Sequence, residues 1–171
     1  MNKLTLALLV LCGCGPAVMM TEDDLPPIDE SVCSRGRIED DGIDSSTPMA
    51  LPAGNYLIST TYLRLPLKKS ALARFRALTS PIDDALRRNA GVVQVVTRLS
   101  TTCNTARTLT VWKDEASMYE LVGSPEHSAA MAAVKEVSRG GSIVTHWVDD
   151  GTGATWTEAA KRLDADSGPF Y

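Results

Sequence analysis

The side chains of this 171-residue chain with the most chemistry to offer are its two histidines, three tryptophans and four cysteines. His127 falls on a helical stretch in phase with Ala130, Met131 and Val134, at spacings of three, four and seven, so the ring turns inward. In the first helical turn it feels the positive end of the helix dipole, which favours the neutral imidazole. A neutral, half-buried imidazole can orient or deprotonate a phenolic substrate. It can equally bond a backbone carbonyl and pack, and both readings stand at this stage. Trp112, at the end of a strand-like stretch, either walls a pocket for a flat ligand or closes one end of a core. Tyr62 is expected to project from the first strand into the same space, where its hydroxyl needs a partner. Met131, one turn beyond His127, completes a candidate pocket for a small apolar, aromatic ligand. His146 lies on the last strand, at an edge or an interface. There is no Ser-His-Asp order, glycine-rich phosphate loop or nucleotide fingerprint, so nucleophilic and nucleotide chemistry have no support.

Composition narrows the classes further. Hydrophobic residues make up 44% and charged residues 22%, enough for one domain with a core. The net charge of -4 comes with no cluster of Lys or Arg, which disfavours nucleic acid as a partner. The two histidines stand apart, so no metal site is expected.

The first residues read as an address rather than as fold. Lys3, the apolar run Leu4 to Leu11, and Cys12-Gly13-Cys14 resemble a bacterial lipoprotein signal, too short to span a bilayer. Gly13 selects Cys14 as the acylated residue, with residues 1–13 removed. Acyl chains on Cys14 would hold the protein at a membrane of the cell envelope, by expectation the periplasmic side of the outer membrane. Residues 14–50 read as an acidic flexible tether. Thr21 to Ala50 carries nine Asp or Glu against Arg35 and Arg37, with three prolines and no apolar period. Glu39, Asp40, Asp41 and Asp44 lack calcium-loop spacing. Export favours disulfides, and Cys33 and Cys103 are the remaining pair; the alternative is two unpaired thiols.

The elements that must position these residues follow in the order strand, helix, strand, strand, helix, strand over residues 51–150. Asn55 to Leu65 alternates loosely and stops at Pro66. Leu72, Phe75, Leu78, Ile82 and Leu86 recur at helical spacing, and Ser80-Pro81 predicts a break or sharp kink within that helix. Gly91 to Ser100 and Arg107 to Trp112 read as a hairpin with Cys103 in its turn. Asp114 and Ser124-Pro125 start helices, the second running to Gly140-Gly141, and Ser142 to Val148 is the last strand. Residues 151–171 form a tail in which Thr155-x-x-Glu158 caps a short helix. Two strand-helix-strand units predict an α+β, ferredoxin-like βαββαβ domain, a four-stranded antiparallel sheet with helices on one face. Valines at 92, 93, 95 and 96 would then leave the other face apolar and bare. The expected remedy is a homodimer, sheet against sheet, as in a dimeric α+β barrel.

The stretch Thr108-Leu109-Thr110-Val111-Trp112-Lys113-Asp114-Glu115, with Met118, Ser124-Pro125-Glu126-His127 and Met131, resembles the antibiotic biosynthesis monooxygenase family. The resemblance covers about Asn55 to Asp150 and implies a dimeric α+β barrel. It also implies a cofactor-independent monooxygenase acting on a small aromatic or quinol-type molecule, with His127 as the catalytic residue. Its other implication is a binding or sensing module of the same fold without turnover. Haem-degrading members carry a Trp and a His where Leu121 and Met131 stand here. The resemblance therefore implies no cofactor, with haem held by His127 as the open alternative.

Replacing Cys14 by Ser is expected to abolish acylation and release the protein from the membrane fraction. Mass spectrometry of the mature N-terminal peptide reads this directly.

Overall fold

The computed structural model describes residues 20–38 and 48–168. Residues 1–19, including Cys14 and the signal, and the acidic run at 39–47 lie outside the described residues. The order is β1 (Tyr56–Arg64), α1 (Lys69–Arg88), β2 (Val92–Ser100), β3 (Thr105–Trp112), α2 (Glu115–Val122), α3 (Pro125–Ala132), α4 (Val134–Val137), β4 (Ser142–Asp149) and α5 (Trp156–Ala165). The strands form one antiparallel sheet in the order β2-β3-β1-β4, the ferredoxin-like arrangement expected from the element pattern.

Several boundaries differ from expectation. α1 is unbroken across Ser80-Pro81. Pro81 is exposed, and so is Ala77, whose carbonyl loses its N–H partner to the proline, so water can satisfy that carbonyl without interrupting the helix. The helix opening at Ser124 is not continuous to Gly140: it closes at Ala132 and restarts as the single turn α4. Asp114, Ser124 and Thr155 cap α2, α3 and α5 through their side chains, accepting from the N–H three residues on.

Strand alternation divides the side chains between two faces. Leu57 and Trp112 pack with Leu86 and Met118 on the helix side, flanked by Ile82, Val92 and Leu121. Ile58, Val96, Leu109, Val111 and Trp147 form the second side, packed with Ala154 and Ala159. Tyr62, Ile143 and Leu163 form a third cluster on that same second side. A register shift between Val92 and Gln94 lets the edge strand β2 rotate, leaving Val93 and Val95 exposed while Val96 is buried.

The second side is therefore not bare. α5 lies across β1 and β4, with Ala159, Ala160 and Leu163 buried beneath it. Residues 151–168 belong to the fold rather than to a tail, and α5 covers the β1–β4 part of the face on which a second copy is expected to pack.

The expected tether likewise differs over residues 20–38, which strap one end of the domain. Lys68, at the N-cap of α1, provides no side-chain cap. Asp23 takes that role from 47 residues upstream, its carboxylate accepting from Ser70 N at 2.8 Å and Ser70 Oγ at 2.6 Å. The backbone pairs as well, Lys69 N donating to Asp23 O at 2.9 Å and Leu25 N to Leu67 O at 2.9 Å. Cys33 and Cys103 are joined by a disulfide with their Cα atoms 5.6 Å apart.

Truncating Leu163 to Ala, at 0% exposure, is expected to cost about 2–5 kcal/mol because it opens a cavity against the sheet. Urea denaturation of the variant measures it, and a loosely attached tail would show no such loss.

Candidate functional site

The sheet register decides which candidate residues can meet. Trp112 pairs with Leu57 on β1, and Tyr62 lies five positions further along that strand, so the two rings project from opposite faces. The expectation that Trp112 and Tyr62 line one pocket is thus corrected. Trp112 is 2% exposed, and its Nε1 donates to Ser59 Oγ at 2.8 Å, which makes it a satisfied core residue of the helix side. Tyr62 is buried on the second side against Ile143 and Leu163, with the Arg107 guanidinium 4.4 Å above its ring.

His127 and Met131 are half-buried in α3, on the helix side. Ser124 Oγ accepts from His127 N at 3.1 Å, fixing the first turn. The His127 Nδ1 lies 3.1 Å from Val122 O. A carbonyl only accepts, so Nδ1 carries the proton and Nε2 is the basic nitrogen. Burial lowers the ring's pKa from its ordinary value, with the Val122 bond opposing, and the neutral form is favoured. His146 is exposed on β4.

A cleft of about 300 Å³ opens where the end of α1 meets the α2–α3 corner, lined by Ala85, Arg88, Asn89, Glu120, Leu121, Ser124, Pro125 and Glu126. Apolar Ala85, Leu121 and Pro125 share the lining with charged Arg88, Glu120 and Glu126, and Arg88 and Glu126 lie 3.6 Å apart. None of His127, Trp112, Tyr62 and Met131 lines it, although His127 follows Glu126 directly. The residue that would ligate a haem iron does not line this cleft, and the lining holds no His, Cys, Met or Tyr to replace it, so the cleft does not fit a haem. Among the described residues no group of three His, Cys, Asp or Glu side chains converges as a metal site.

Arg107 and Arg139 were not evident as candidates from sequence. Arg107 is 2% exposed and its guanidinium donates to Ser34 O, Arg35 O and Arg37 O at 2.8, 2.9 and 2.6 Å. Its signal was a charge in phase with Leu109 and Val111 on an alternating strand. Arg139 donates to Leu65 O at 3.1 Å and Cys103 O at 3.2 Å, and pairs with Glu30 of the strap. Nothing local to residue 139 marks that role.

These elements define an α+β domain of ferredoxin-like topology, extended by a strap and a fifth helix. The chain belongs to the family described as a domain of unknown function, DUF3291, whose model matches residues 57–168 and so includes α5. No curated protein matches. Solved structures resemble part of the chain. A conserved protein from Methanosarcina mazei Go1 is 13% identical, covering 54% of this chain and 90% of its own at a TM-score of 0.48. Rv0793 from Mycobacterium tuberculosis is 17% identical, covering 55% and 93% at 0.46. A mutant of SnoaB, a cofactor-independent oxygenase from Streptomyces nogalater, is 16% identical, covering 57% and 95% at 0.45. The oxygenase activity named there belongs to that protein.

His127 has its pKa below the unfolded value, so its contribution to stability is present above the unfolded pKa and is lost as pH falls through the folded one. Stability should therefore decline with acidification below about pH 6.5, the ring's ordinary pKa. In His127→Gln that part of the slope should vanish in pH-dependent denaturation curves.

Proposed function

We propose that this protein is an exported, lipid-anchored domain that binds a small, largely apolar ligand at the α1–α2–α3 corner and does not turn it over. The observation that carries this reading is the separation of the candidate reacting groups. The Trp112 indole N–H is bonded to Ser59, Tyr62 lies across the sheet, and His127 stands beside the cleft rather than in it. Acid-base chemistry needs its groups within hydrogen-bond reach of one substrate atom, whereas binding needs only a concave apolar surface with a few polar contacts. Ala85, Leu121 and Pro125 would take the apolar body, and Arg88 and Asn89 would orient a polar substituent. Anchoring through Cys14 places the domain at the envelope, and the Cys33–Cys103 bond suits an oxidising compartment.

A second reading, cofactor-independent monooxygenation of a quinol, is favoured by one feature: His127 is held neutral with Nδ1 protonated, so Nε2 is poised as a base.

Saturation-transfer NMR against a panel of quinols and simple aromatics tests the first reading. The native chain should show binding and Ala85→Trp, which fills the cleft, should abolish it with the melting midpoint preserved. An absence of binding by the native chain overturns the proposal. Oxygen uptake with the same panel should be nil; uptake that falls about 10²-fold in His127→Ala would instead establish the oxygenase reading.

A further inference from the structure

We propose that the Cys33–Cys103 disulfide is a thiol-operated latch, whose reduction releases residues 30–38 of the strap from the sheet while the Asp23 end stays on α1 and the domain stays folded. The strap is held by contacts of an unusual balance. No residue between 20 and 38 is buried, and none enters any of the three core clusters. Along Glu30–Ile38 the attachments include the Arg107 guanidinium on the carbonyls of Ser34, Arg35 and Arg37, the Arg139–Glu30 pair and the attraction between Arg35 and Asp166 at the end of α5, all of them polar. Each can be exchanged for water once the segment moves, because its departure opens both the carbonyls and the guanidinium to solvent. The disulfide is the one covalent tie, and it acts across a sequence separation of 70 residues. Cutting it converts the docked segment into one whose polar contacts must alone offset the entropy of ordering it.

The two sulfurs are unequally placed for exchange. Cys103 is 1% exposed, while Cys33 is half-buried at the surface. A dithiol reductant would attack Cys33 Sγ through its thiolate, forming a mixed disulfide and expelling Cys103 as a thiolate. The Arg139 guanidinium donates to the main-chain carbonyl of Cys103 at 3.2 Å, so the leaving residue stays held in the β2–β3 turn. The second thiol of the reductant then displaces Cys33. Two electrons and two protons pass to the protein, leaving two thiols and the oxidised, disulfide form of the reductant. Departure of the strap uncovers Arg107 and the Tyr62 ring beneath it.

Trypsin reads the docked state directly, because the bonds it cleaves after Arg35 and Arg37 are those whose carbonyls the Arg107 guanidinium occupies. The full chain is digested as the disulfide form, after dithiothreitol reduction and alkylation, and as a Cys33→Ser/Cys103→Ser variant, with fragments timed by mass spectrometry. Cleavage at Arg35 and Arg37 should accelerate about tenfold or more in the last two, in proportion to the open population. Arg88 of α1 and Arg162 of α5 should remain protected, and thermal unfolding cooperative. Unchanged rates at Arg35 and Arg37 would overturn the latch, showing that the arginine contacts hold the strap unaided. Simultaneous cleavage at Arg88 and Arg162 with loss of the thermal transition would also overturn it, making the disulfide a support of the whole domain.

Discussion

Ile58, Val96, Leu109, Val111 and Trp147 form a row on the sheet face turned away from α1, and a chain of this size cannot leave that row in water. Burying each such side chain contributes about 1.5–3 kcal/mol. The row together rivals the whole stability of a typical domain, roughly 5–15 kcal/mol. The four strands and their crossover helices cover one face only, so the second must be covered by something else. α5 does this over β1 and β4, presenting Ala159, Ala160 and Leu163. Small residues let the helix approach closely, and Leu163 fills the space beside Tyr62 and Ile143. The family match extends to residue 168, and α5 lies within it.

Covering the second side creates a polar problem at its far end. Arg107 occupies an inward position on β3, where a charged head cannot simply be desolvated. Its fork of N–H groups requires acceptors, and the strap provides three main-chain carbonyls in succession. Tyr62 below adds a ring face to the same cation. Arg139 performs a parallel service at the edge, tying the end of β1, the β2–β3 turn and Glu30 of the strap. The strap is thus held chiefly by backbone oxygens and a disulfide, and the closed loop of that bond is worth about 4 kcal/mol in the chain-entropy account. The same strap completes α1 from a distance through Asp23, so the N-terminal segment serves two elements at once.

With the second side closed, the open concave surface described is the helix corner. Polar Arg88, Asn89, Glu120 and Glu126 line it together with apolar Ala85, Leu121 and Pro125, while the Trp112 indole is committed elsewhere. His127 illustrates how one residue supports two readings. The bond from Nδ1 to Val122 O is what a packed histidine makes, and it also leaves Nε2 as the basic nitrogen. Position relative to a substrate, not protonation, separates the two roles, and the cleft lies to one side of the ring.

The order of elements and the caps at Asp114, Ser124 and Thr155 were legible from the chain alone, because each depends on neighbours within a turn or two. The ferredoxin-like topology followed from that order through the handedness of crossovers. Tertiary structure alone decided what covers the second side, that residues 20–38 dock, and that Arg107 is buried. It alone also separated Tyr62 from Trp112. Which face a strand residue occupies relative to a residue on another strand depends on register, and a shift of one position exchanges the faces. Which distant segment fills an apolar face depends on packing between parts of the chain far apart in sequence. Local periodicity carries neither kind of information, so the residues were readable one by one while the site they would share was not.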